Sequence, residues 1–185
     1  MGKHKELIAV NVIDVVKARR SIREYQPGDI GEENLADLLE AARLAPSWKN
    51  GQCFTYILVD NRETILQLGE INTNNPSQSA YQNAEYFIIL CADPTQSGRR
   101  EGKEYYMTDA AISMQQMMLV AADKGIGMCW IGAFYESPIK KLLNIPEDIR
   151  VVALSPIGLP DETPAERPRR DVNEMVFRNR YGNLL

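Results

Sequence analysis

The chain has 185 residues, of which 44% are hydrophobic and 25% charged, and its net charge is −4. These values fit one soluble globular domain over 1–185 with enough core to fold unaided, and the acidity argues against nucleic acid as a partner. An odd set of cysteines (Cys53, Cys91, Cys129) without tight spacing argues against a disulfide framework or a zinc site and for a reducing compartment.

The N-terminus has no signal-peptide apolar core and no apolar run nears membrane-spanning length, so a cytoplasmic protein with no membrane partner is expected. A lone histidine, His4, sets aside most histidine-based catalysis. Over residues 5–20, Leu7, Ile8, Val12, Val15 and Val16 share one helical face, and Lys17, Arg19 and Arg20 collect at its end. Cations there complement a helix dipole, but the dipole explains neither Ser21 nor Arg23. Gln26-Pro27-Gly28-Asp29 reads as a turn. A helix is predicted over 32–45, with Leu35, Leu38, Leu39 and Ala42 on one face and Pro46 as its stop. A strand at 54–59, a short helix at 61–71, a loop at 72–79 and a buried strand at 86–92 follow; 93–103 reads as a solvated loop.

The strongest helix spans 108–124, with Thr108 as N-cap and Gly125 as stop. It is apolar nearly all round, so burial is expected on most faces, in the domain centre or against another subunit. Its methionines suit core filling. Residues 126–131 read as a strand, Ser137-Pro138 as the start of a short helix, and 151–157 as a strand. Beyond Gly158 the chain is Pro- and Arg-rich. It then carries Val172, Met175, Val176, Phe177, Tyr181, Leu184 and Leu185, too apolar for water and expected to dock on a neighbouring surface.

Four segments carry the chemistry. Arg19, Arg20, Ser21 and Arg23 form one cationic cluster; Arg167, Arg169 and Arg170 form another. Guanidinium forks match phosphate with paired hydrogen bonds, so both are expected to converge on one phosphate-bearing ligand. Pro46, Ser47, Trp48, Asn50, Gly51 and Gln52 offer a hydroxyl and carboxamides, which also suits an ordinary helix-to-strand loop. In 125–134, Gly132 would let backbone approach a flat ligand. A dinucleotide fingerprint fails at Gly125-x-Gly127, because Trp130 stands where a third glycine should. Ser21 and Ser47 lack a histidine partner for hydrolysis, and no metal ligands occur at credible spacing.

In this order the segments resemble the nitroreductase family of flavin mononucleotide (FMN) enzymes: Arg-Arg-Ser-x-Arg at 19–23, Ala-Pro-Ser-x-x-Asn-x-Gln at 45–52, Asp109, Gly-x-Gly-x-x-Trp-Ile-Gly at 125–132 and Pro-x-x-Gly-x-Pro at 156–160. The resemblance implies an α+β nitroreductase-like fold. Its central, mainly antiparallel sheet would be flanked by helices, with a long buried central helix and a C-terminal extension reaching the partner subunit. It implies a homodimer with FMN sites at the subunit interface. Arg19, Arg20, Ser21, Arg167 and Arg169 would then hold the phosphate and ribityl chain, and Arg23 would reach the pyrimidine edge, where a cation favours hydride acceptance. Pro46, Ser47, Asn50 and Gln52 would come from the other subunit. Trp130, Ile131, Gly132 and Ala133 would lie against the ring, with the Gly132 N–H near N5.

The implied activity takes hydride from NADH or NADPH and reduces a nitroaromatic, quinone or similar small acceptor by ping-pong kinetics, with no catalytic side chain beyond the flavin itself. A non-catalytic flavin store or redox sensor, or a flavin-fragmenting or dehalogenating relative, are the alternatives. Trp48 stands where many relatives have a small residue, which implies a restricted site mouth.

Overall fold

The fold is described from a computed structural model covering residues 11–72 and 78–185; His4, Leu7, Ile8 and residues 73–77 lie outside the described residues. Helix α1 spans Val12–Ala18, capped by the Asn11 side chain, and ends at Arg19, so Arg19 and Arg20 lie just beyond the helix rather than within it. A short strand β1 (Tyr25–Gln26) precedes α2 (Glu32–Arg43). Strand β2 (Phe54–Val59) leads into α3 (Arg62–Ile71), whose first turn is closed by the Asn61 side chain accepting from Thr64 N–H.

Helix α4 (Gln78–Asn83) was not foreseen: its polar residues carry no period, and two apolar anchors, Ala80 and Tyr81, hold it down. After β3 (Tyr86–Ala92), the stretch read as a solvated loop contains a hairpin, β4 (Arg99–Arg100) and β5 (Lys103–Glu104). Helix α5 runs Tyr105–Asp123 with Glu104 at its N-cap, a turn earlier than the Thr108 cap predicted. Strand β6 is only Gly127–Met128, helix α6 is Glu136–Leu143, and β7 (Arg150–Pro160) extends beyond the predicted end.

One antiparallel sheet runs in the order β1-β7-β3-β2, with β6 alongside β7. Strand β3 is buried on both faces, and its side chains alternate as pleating requires. Ile88, Leu90 and Ala92 pack toward α2 and α5 with Leu38, Met114 and Met117. Phe87, Ile89 and Cys91 face the opposite layer with Ile65, Leu68, Tyr81 and Ile139. The Tyr81 and Phe87 rings stack with centroids 4.8 Å apart. Between Leu90 and Cys91 the register with β7 slips by one, so Val152 and Ala153 both join the first layer. This is the signature of a β-bulge.

Central burial of α5 holds toward the sheet and α2. Ser113 Oγ donates to Ala42 O and meets Tyr56 Oη at 2.6 Å. Met107 and Ile112, however, stay exposed on this chain. No described helix is long and apolar enough to cross a membrane.

Glu136 ties α6 to β7. Its carboxylate accepts from Arg150 Nε at 3.0 Å, Arg150 Nη2 at 2.9 Å and Val151 N–H at 2.9 Å, with Lys140 Nζ at 3.4 Å. Burial alone would raise its pKa, but these hydrogen bonds and cations win and hold it at about 2 against an ordinary 4.5. Its stabilisation is therefore complete above pH 4.5 and disappears as pH falls through about 2. Glu136→Gln is expected to cost roughly 1–3 kcal/mol in urea unfolding at pH 7. The gap between variant and wild type should narrow steadily as the titration moves below pH 4.5.

Candidate functional site

The two arginine clusters meet. Tyr25 pairs with Pro160 and Gln26 with Leu159, so the chain leaving β7 runs beside residues 19–24. Asp161 N–H donates to Glu24 O at 2.9 Å, and the Glu162 carboxylate accepts from the backbone N–H groups of both Arg23 and Glu24. Buried Tyr25 fixes the base of this junction: its hydroxyl donates to Ile22 O at 2.7 Å, and its N–H donates to Ser79 Oγ at 3.0 Å. Arg19, Arg20, Ser21, Arg23, Arg167 and Arg169 consequently line one cleft of about 460 Å³, joined by Lys17.

The charge in this cleft is unbalanced. Glu166 is the one carboxylate among the described lining residues, and it lies 3.9 Å from Arg20 Nη2 and well exposed. Such a pair contributes little. The guanidiniums are oriented instead by neutral acceptors. Arg20 Nη1 donates to the Lys17 and Arg19 carbonyls, and Arg169 Nη1 to those of Arg167 and Pro168 at 3.2 Å. Carbonyls aim these forks without cancelling their charge, so the donor set fits a dianionic phosphate. Lys17, Glu162 and Glu166 were missed as site residues, since isolated charges in a charged segment carry no signal of their own.

Pro46, Ser47, Asn50 and Gln52 do not line this cleft; Pro46 and Ser47 border a separate depression with Trp48 and Ile112, and Asn50 and Gln52 are exposed. Their loop is strained. Lys49, Asn50 and Gln52 all adopt positive φ, at 48°, 58° and 48°, a region costly for residues with a Cβ. Buried Asp109 on α5 pins the loop by accepting from Trp48 N–H at 3.0 Å, Ser97 Oγ at 2.7 Å and Cys53 Sγ at 3.6 Å. The Ser47 hydroxyl oxygen accepts from Gln52 N–H at 2.9 Å. Gly51 lies so close to the Gln96 carbonyl that a Cβ would stand 2.1 Å from its oxygen. The Cys53 thiol is pushed up to about 11, first by burial and then by the Asp109 charge.

The 129–133 segment adjoins the basic cleft through Ile22 N–H donating to Met128 O at 3.0 Å. Trp130, Gly132 and Ala133 are exposed. A Cβ on Gly132 would lie 2.9 Å from the Trp130 indole nitrogen, so glycine permits the indole to lie across this backbone. Ile131 departs from its expected cofactor contact. Its side chain is buried in the core, and its N–H and C=O are both bonded to Leu154. It anchors the segment and presents nothing to a ligand. Burial pushes the neighbouring Cys129 thiol up, partly offset by Arg23 and Ser21.

Comparison with known proteins gives a consistent answer. The profile of the nitroreductase family matches residues 16–83 and 71–159. A solved nitroreductase family protein from Clostridium novyi NT is 34% identical, with 95% of this chain and 97% of that one covered and a TM-score of 0.78. The NADPH:FMN oxidoreductase of Vibrio harveyi, solved with NAD+, superimposes with a TM-score of 0.83 at 26% identity, covering 95% of this chain and 80% of that one. The FMN reductase [NAD(P)H] of Bacillus subtilis is 27% identical over 189 residues, 93% of this chain and 75% of that protein. A profile match running from residue 16 to 159, with an antiparallel sheet and flanking helices that superimpose on these structures, means that the chain belongs to the nitroreductase family and has its fold.

Proposed function

We propose that this chain is an FMN-dependent oxidoreductase that draws on NADH or NADPH and reduces a small acceptor such as a nitroaromatic or quinone. The observation that carries this reading is the cleft in which Arg19, Arg20, Arg167 and Arg169 gather with so little compensating charge. Bound FMN would supply the two-electron redox centre. The protein's part is to bind and orient. Those four arginines grip the phosphate, and the Ser21 hydroxyl serves the ribityl chain. Arg23 stabilises negative charge at the electron-accepting edge, and Trp130, Gly132 and Ala133 offer a surface for the ring. Donor and acceptor using one site in turn gives ping-pong kinetics.

Pro46, Ser47, Asn50 and Gln52 lie away from this cleft, so their contribution requires a second copy of the chain. A homodimer with its FMN sites at the interface accounts for that. It also accounts for α1, which buries no residue of its own while exposing Val12, Ile13 and Val16. The C-terminal segment, with Val172, Met175, Val176, Leu184 and Leu185 exposed, supplies a natural arm to the partner. Trp48, 39% exposed, would narrow the mouth of the site. The two cores share one sheet, which supports a single domain over 1–185. Three unpaired cysteines suit the cytoplasm.

Purified protein is expected to be yellow, to bleach anaerobically with NADH or NADPH, and to recolour when a nitroaromatic is added. Colour that neither nucleotide bleaches would make it a flavin carrier instead. Arg19→Ala and Arg169→Ala should each weaken FMN binding by about tenfold or more in a fluorescence titration, the loss of one charge-assisted contact, and should flatten its salt dependence. Gly51→Ala must displace the 46–52 loop from Gln96. If that loop touches the ring, FMN affinity falls by about tenfold, ~1.4 kcal/mol, although the arginine cleft is untouched. Unchanged affinity would remove the loop from the site.

A further inference from the structure

The β4–β5 hairpin plays no part in the reading above, yet it breaks a local rule. Its turn residues, Glu101 and Gly102, have φ of 53° and 77°. Positive φ at both centres is what a two-residue type I′ hairpin requires, so the tip is a preformed, twisted ribbon. The register sets Arg99 opposite Glu104 and Arg100 opposite Lys103. Cross-strand partners emerge on the same face. The first pair is complementary, whereas the second sets two cations side by side, which is destabilising. Both are exposed, and neither side chain makes a hydrogen bond or ion pair among the described residues. Glu104 answers Arg99 and Glu101 occupies the turn, so the cation excess falls on Arg100 and Lys103. A local conflict without an internal remedy points to an external one, and two adjacent cations suit a dianion.

The hairpin's attachment says which dianion. Gly98, at its base, is packed so tightly on Trp48 that a Cβ would meet three indole atoms at 2.6–3.0 Å. Tyr105 N–H donates to Gly98 O at 2.9 Å, fixing the same base to the start of α5. Gly51 packs on Gln96, two residues earlier. The cation pair is therefore rigidly joined to the 46–52 loop, which the proposed function sets at the mouth of the flavin site, where the reductant must enter. A depression of about 590 Å³, lined by Arg99, Arg100, Glu101, Gly102, Glu104 and Met107, opens beside the pair at Arg100 and is large enough for an adenosine. NADPH differs from NADH by one phosphate monoester on that adenosine, a group carrying between one and two negative charges at neutral pH.

Resting on the proposed function, we infer that Arg100 and Lys103 form the subsite for the ribose 2′-phosphate of NADPH and make NADPH the preferred reductant. The pair determines specificity and takes no part in hydride transfer. The test compares kcat/KM for NADPH and NADH in wild-type holoenzyme and in Arg100→Ala/Lys103→Ala, with Arg100→Gln/Lys103→Gln as a second variant that keeps side-chain bulk. Calorimetric binding of 2′,5′-ADP against 5′-AMP gives a readout independent of turnover. Wild type should favour NADPH by about tenfold or more, the discrimination of one or two charge-assisted contacts. Both variants should lose that preference through KM(NADPH) and move the NADH value less than about twofold. Tighter binding of 2′,5′-ADP than of 5′-AMP should vanish with it. Equal use of both nucleotides by wild type, an equal fall for both in the variants, or no advantage of 2′,5′-ADP would overturn the inference while leaving the flavin reading intact. A colourless protein that oxidises neither nucleotide would overturn both.

Discussion

The whole site depends on an arrangement that electrostatics opposes. Five guanidiniums and a lysine line one cleft, and like charges gathered at short range repel. The backbone behind them is pinned where the two segments meet. Strand β1 is locked to the end of β7, Tyr25 is fully buried at the junction, and Glu162 accepts N–H groups from the Arg23–Glu24 segment. Burial also drives the Tyr25 hydroxyl well above its ordinary pKa, so it remains a neutral donor to Ile22 O. The cleft thus keeps most of its positive charge uncompensated from within, which is the electrostatic condition for attracting an anion.

The second half of the putting-together is the clamp at Asp109. One buried carboxylate collects donors from two segments, the 46–53 stretch through Trp48 and Cys53 and the 93–98 stretch through Ser97. Departures into positive φ at Lys49, Asn50 and Gln52 cost on the order of 1–3 kcal/mol each, and the clamp, with the contact of Gly51 on Gln96, over-determines the loop enough to hold them. Strain stored in a loop that exposes two carboxamides is the pattern expected of a binding segment. The same packing carries the β4–β5 hairpin, because Gly98 at its base lies against Trp48 of the loop.

Much of the architecture was legible because its signals are local. Strand β3 is a continuous apolar run and formed where predicted, and α2 shows a 3.6-residue period with glutamates in its first turn and proline beyond it; it starts where predicted and ends two residues early. The misses share a cause. Helix α4 has no period to read and is held by tertiary burial of Ala80 and Tyr81. The β4–β5 hairpin hides in a charged stretch because its turn uses glutamate at a positive-φ position, where asparagine or glycine would have announced it. Thr108 is a good cap by type, yet α5 starts earlier because Tyr106 is buried against the core and extends it.

The sequence by itself determined the chemistry on offer: guanidinium clusters at 19–23 and 167–170, a carboxamide loop at 45–52 and a glycine-bearing stretch at 125–132. Residue type fixes donor, acceptor and charge, and type is all a linear chain displays. Tertiary structure alone decided which groups meet. It joined the two arginine clusters through β1–β7 pairing, kept the carboxamides apart from them, and turned Ile131 into the core. Those outcomes depend on strand register and on which face of a pleated strand is buried. A one-residue slip would invert both, and no local propensity encodes them.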